Sequence, residues 1–175
     1  MEQISVFPIR LSAYRWINLI AFKVTWVILM VFQNKALIPA LCLMMIIFLI
    51  QPAIKKSVVL IAGIGFSGII IDSLLSLSGL FIFPNNDLIP FWLALLWLSF
   101  AMTLPYGFGF IGRLALSLQA VIGMIASLSY LIGLNLGSVE YSNSVVSSQI
   151  ALAIIWAVFL PVSYQFINRV FDSRL

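Results

Sequence analysis

Histidine is absent from the 175 residues, cysteine occurs once, and charged residues make up only 8%. The first two scarcities remove His/Cys metal sites, the Ser-His-Asp and Cys-His nucleophile systems and any imidazole proton shuttle. Cys42 lies alone inside an apolar run and forms no intrachain disulfide. No metal and no cofactor is expected. The shortage of charge excludes an ordinary soluble domain, in which about 25% of residues are charged. It also argues against nucleic acid, because nine basic residues are spread along the chain without a cluster.

What the chain has is apolar length. It is 63% hydrophobic with a mean hydropathy of +1.19, as an integral membrane protein requires. At about 20 apolar residues per crossing there is room for five to seven spans and no separate soluble domain. Breaks made of charge, Pro, Gly and Asn divide residues 1–175 into six apolar runs, at 13–33, 36–51, 57–79, 88–106, 114–136 and 147–168. The breaks fall at Gln33 to Lys35, at Gln51-Pro52 with Lys55-Lys56, at Phe83 to Asp87, at Gly112-Arg113 and from Gly137 to Ser148. The expected fold is all-α: one membrane domain, a bundle of six transmembrane helices. The second run is short and carries Pro39. The N-terminus lacks the basic-then-apolar order of a signal peptide, so the first span is expected to be retained. Disorder is expected only over about the first ten residues.

Orientation follows from Lys and Arg. With the N-terminus inside, the cytoplasmic segments collect Arg10, Arg15, Lys55, Lys56, Arg113, Arg169 and Arg174, and the outer side receives Lys35. Both termini are therefore expected in the cytoplasm, with Asp87 and Glu140 in outer loops. Tyr14, Trp16, Trp92, Tyr106, Tyr141 and Tyr164 fall near span ends, where amphipathic rings favour the headgroup layer. Trp26, Trp97 and Trp156 lie nearer mid-span, as packing residues or as substrate contacts.

Two ionisable groups lie well inside predicted spans, Lys23 and Asp72. A charge at mid-bilayer costs at least about 2.5–3.5 kcal/mol, so such groups usually face the bundle interior and take a partner. In the third run Gly65, Gly68, Asp72, Ser76 and Gly79 recur at spacings of three and four, giving a small, polar face for close helix packing. Lys23 shares a face of the first helix with Trp16, Leu19, Ile20, Trp26 and Met30. Helix rise places Asp72 about 7 Å further out than Lys23, within reach of a long stem. A Lys23–Asp72 contact fixing helix packing is the first expectation. The alternatives are a substrate or proton site, and an Asp72 wetted at the outer boundary. In the fifth run Gln119, Gly123, Ser127 and Tyr130 line one side; Ser129, Gly133 and Gly137, at spacing four, read as a packing seam.

Four blocks carry a family resemblance: Asn18-Leu-Ile-Ala-Phe22-Lys23-x-x-Trp26; Asp72-Ser-Leu-Leu-x3-Gly79-x-Phe81-x-Phe83-Pro84; Ile89-Pro90-x-Trp92-x4-Trp97-x2-Phe100-x2-Thr103-Leu104; and Ser127-Leu128-Ser129-Tyr130-x2-Gly133-x2-Leu136-Gly137. In this order and spacing the chain resembles, over most of its length, the small proteobacterial inner-membrane proteins catalogued only as a domain of unknown function. That family more usually has Gln at the position of Lys23, and Gly-Pro where this chain has Ala126-Ser127. The polar contact at position 23 is then general and the charge particular to this protein. The resemblance implies a multi-pass protein of the bacterial inner membrane and no agreed activity.

Three functions fit these helices. In the first, a ligand-binding or transport-related subunit holds a small amphipathic or lipid ligand at a polar intramembrane face around Asp72, with Asn18, Lys23, Trp92, Trp97 and Tyr130 as further candidates. Its size is similar to that of the substrate-capturing membrane subunits of vitamin importers, without their small-residue docking motif on the first helix. In the second, Asp72 is the acid or base of an enzyme or accessory factor of lipid or isoprenoid metabolism. The order Asp-x6-Gly-x-Phe-x-Phe then Pro-x-Trp resembles membrane carotenoid cyclases, but Trp92 and Leu93 stand where paired glutamates are expected, and catalysis is the less favoured reading. In the third, the polar face mates with another membrane protein. The bilayer is the one partner common to all three.

Overall fold

A computed structural model describes residues 10–83 and 88–173. The expected break from Pro84 to Asp87, the outer-loop Asp87, the disorder expected over residues 1–9 and the cytoplasmic Arg174 lie outside the described residues. The chain is mostly helical, and four helical segments are long and apolar enough to cross a membrane: Leu11–Ile50, Ile54–Leu77, Leu116–Asn135 and Val145–Asp172. Phe91–Thr103 is apolar but shorter.

The first segment folds back on itself. Helix α1 (Leu11–Phe32) ends where Gln33 adopts φ 50°, a one-turn 3-10 stretch Gln33–Ala36 follows, and α2 (Leu37–Ile50) returns alongside. The hydroxyl of Tyr14, near the start of α1, donates to the carbonyl of Ile47, near the end of α2, so the two helices are antiparallel. Pro39 sits in the first turn of α2, where no backbone partner is lost.

Helix α3 (Ile54–Leu77) contains a π-helical turn at Ile61–Gly65, which shifts the register of the face that follows. On that face Gly68 receives the indole of Trp97, and Gly65 lies against Leu98 and Ala101 of α4 (Phe91–Thr103). The same stripe was expected to continue in packing through Gly79. It does not. Gly79 has φ 76° and open space around its Cα, with its amide donating to the Ser76 carbonyl and the Leu80 amide to that of Leu75. Gly137 repeats the arrangement at φ 67°, with its amide on Leu134 and that of Ser138 on Gly133. Both glycines end helices in the left-handed conformation that a side chain resists.

Helix α4 is 13 residues against the 88–106 expected, because the chain leaves the helix at Thr103 and runs through compact turns to Arg113. Residues 104–106 carry no charge and fall within the expected run, although Pro105 and Gly107 already mark the turns. Their backbone is satisfied from neighbouring helices: the Gly107 amide donates to Asn18 Oδ1 of α1, and the Tyr164 hydroxyl donates to the Phe108 carbonyl. Irregular backbone is tolerated at membrane depth only when enclosed by protein in this way. At the other end of α4, the Trp92 amide donates to Asn34 Oδ1.

Helix α5 (Leu116–Asn135) is interrupted at Ser127-Leu128, where bonds three residues apart replace the α pattern. It packs closely on α6 (Val145–Asp172): a Cβ on Gly123 would strike the Trp156 carbonyl. The intimate contact of α5 is therefore at Gly123 and not along the expected seam of Ser129, Gly133 and Gly137. Gly133 is buried against Met30 of α1 and Val139, and Ser129 lines a cavity between α1 and α5. A two-residue pair of strands, β1 (Phe81–Ile82) antiparallel to β2 (Glu140–Tyr141), ties the chain after α3 to the chain after α5, with Phe81 opposite Tyr141.

Candidate functional site

Helices α1 and α5 form a wedge. At one end the Ser138 hydroxyl donates to the Met30 carbonyl at 2.9 Å and receives the Gln33 amide at 3.2 Å, pinning the end of α1 to the end of α5. Away from that clamp the helices separate around a cavity of about 410 Å³. Lys23, Trp26 and Met30 face it from α1, Trp92 and Trp97 from α4, Tyr130 and Gly133 from α5, and Trp156 closes the back. Ile125, Leu128 and Ile132 border it from α5 and are 60%, 47% and 44% exposed. The gap they border with Lys23 and Trp26 therefore opens sideways through a rim that is apolar on the α5 side and carries Lys23 on the α1 side.

The wall opposite the gap is aromatic and rigidly supported. Trp97 and Trp156 stack at 5.4 Å and 18°, with Phe100 and Phe159 edge-on to them. Offset and edge-on pairs of this kind contribute about 0.5–1.5 kcal/mol each beyond area burial. Phe81 stacks between Tyr130 and Tyr141, so the strand pair extends the wall. Burial pushes the Tyr141 hydroxyl up to about 12.

Asp72 lies directly behind this wall and is fully buried. Trp97 Nε1 donates to Asp72 Oδ2 at 2.7 Å, and the Tyr130 hydroxyl donates to Oδ1 at 2.8 Å. Both donors also line the cavity, so one acid orients two wall residues. The expected Lys23–Asp72 contact is not formed. Indole and phenol donors satisfy the carboxylate, the Trp97 ring stands on the cavity side of it, and the Lys23 ammonium lies over the Phe108 ring, 5.8 Å from its centroid.

Of the six side chains singled out in the sequence, Lys23, Trp92, Trp97 and Tyr130 line one cavity and Asp72 supports it. Asn18 stands apart, its amide nitrogen donating to the Tyr14 hydroxyl and its oxygen holding the Gly107 amide. Sequence reasoning left out Phe22, Phe83, Phe100 and Phe108 as site residues, four more lining aromatics. Phe22, Trp26 and Met30 at spacing four gave part of the signal; Phe83 and Phe108 sit in non-helical segments where no periodicity marks them. Among the described residues no group of three or more Cys, Asp or Glu is placed to hold a metal ion.

No curated protein and no solved structure matches the chain. One family model does, over residues 15–162, which takes in α1 through most of α6 and every cavity residue named above. By that match the chain belongs to the family described as Protein of unknown function (DUF2878).

Proposed function

We propose that this chain is a multi-pass protein of the bacterial inner membrane, a single domain of six spans with both termini cytoplasmic. It binds an amphipathic ligand inside the bilayer, as a capturing or transport-related subunit. The observation that carries this reading is the cavity of about 410 Å³, lined by Trp26, Trp92, Trp97 and Trp156 and opening sideways between α1 and an apolar α5 rim. Small-molecule sites usually have roughly 300–1,000 Å³, apolar walls and a few placed polar groups. The interruption of α5 at Ser127-Leu128 lies beside the cavity, as interrupted helices do at binding sites in membrane transporters. The asymmetry of Lys and Arg supports the orientation. Catalysis by Asp72 is disfavoured, because both its oxygens are engaged and the wall separates it from the cavity.

Native mass spectrometry of the protein extracted from its own membranes tests the reading. The wild type is expected to carry a discrete small-molecule adduct, and Ala126→Trp, which fills the cavity from its wall, is expected to lose it while remaining helical and monodisperse. A wild type without an adduct, or the same adduct on both proteins, would sink the proposal.

A further inference from the structure

Lys23 is an exposed cation on the cavity lining, 12 residues along α1 from Leu11 and so about 18 Å from the start of that helix. At that depth an ammonium needs a partner, and the acids of the described spans do not supply one: Asp72 is taken by Trp97 and Tyr130. The contact Lys23 does make, with the face of Phe108, leaves its donors without an acceptor there. The Ser129 hydroxyl is a second polar group on the lining, and the opposite wall is indole.

Resting on the ligand-binding reading above, we propose that the occupant is an amphiphile with an acidic head, a carboxylate or a phosphate, held at Lys23 with a chain against the tryptophans. A cavity of about 410 Å³ is within the range that takes a small-molecule ligand. A chain enters, and the remainder of the molecule leaves through the gap between α1 and α5. The charge selects the head, and the aromatic wall accepts chains of varied chemistry.

Tryptophan quenching by bromine-labelled amphiphiles reads this directly, because four of the five tryptophans line the cavity. The fifth, Trp16, is 67% exposed and is removed as Trp16→Phe. The protein is placed in phosphatidylcholine nanodiscs and titrated with dibromostearate, dibromostearyl phosphate and the uncharged methyl ester of dibromostearate, at a pH where the acidic heads are ionised. Saturable quenching is expected from at least one acid at about tenfold lower concentration than from the ester, the size of one charge-assisted hydrogen bond. Lys23→Gln is expected to remove that advantage and Lys23→Arg to keep it. The two acids tell carboxylate from phosphate. Equal saturable binding of acids and ester, or an acid advantage that survives Lys23→Gln, overturns the head-group assignment and leaves ligand binding standing. Quenching that saturates for none of the three, and is the same in Ala126→Trp, overturns the ligand-binding reading itself.

Discussion

The hydroxyl of Tyr130 donates to Asp72 while the ring of the same tyrosine forms part of the cavity wall. One side chain thus carries information in both directions between a buried acid and a binding surface. Trp97 does the same through its indole nitrogen.

Removal of the Asp72 carboxylate strands two donors at once. Asp72→Ala is expected to destabilise the protein by about 1–3 kcal/mol for each unpaired donor, and Asp72→Asn by less, because one amide oxygen still accepts. Unfolding in detergent measures the order Ala worse than Asn, and near-ultraviolet circular dichroism reports the loosened Trp97. Equal and negligible effects of the two changes would mean that the bonds to Trp97 and Tyr130 hold nothing in place.

Gly68 and Gly123 are both crowded, but by different atoms. A methyl on Gly68 meets the Trp97 indole, which is a side chain, whereas one on Gly123 meets the backbone of Trp156. Gly123→Ala is therefore expected to cost more than Gly68→Ala, whose effect is within the usual 1–3 kcal/mol, roughly, of overpacking. Gly68→Ala should in exchange move Trp97 and change the tryptophan emission. The reverse order of stabilities would contradict the close approach of α5 to α6.

The proposed orientation has a direct chemical check. In a Cys42→Ser background, Lys35→Cys is expected to react with a membrane-impermeant maleimide added outside intact cells, and Lys55→Cys only after the membrane is opened. Labelling of both from outside would remove the six-span arrangement.

Much of the helix layout was legible because apolar runs end at charged or polar residues and at Pro: 36–51 against Leu37–Ile50, and 147–168 against Val145–Asp172. The turns from Thr103 to Arg113 were legible only at their end, at Gly112-Arg113, and the interruption at Ser127-Leu128 was not, since no charge, Pro or Gly marks it. The candidate site was legible one residue at a time. Lys23, Trp97, Tyr130 and Asp72 announced themselves by polarity or size in an apolar setting, but the partners of Asp72 depend on how α3, α4 and α5 are rotated about their axes. A charge-pairing argument favoured Lys23 as that partner, and two neutral donors with better geometry prevailed.

A helix of 13 residues rises about 20 Å, two thirds of the roughly 30 Å hydrocarbon layer. Alone, α4 cannot settle across a bilayer, and the turns that complete its depth depend on Asn18, which was synthesised some 90 residues earlier. The depth that α4 lacks by itself is therefore supplied by turns held against the first and last helices.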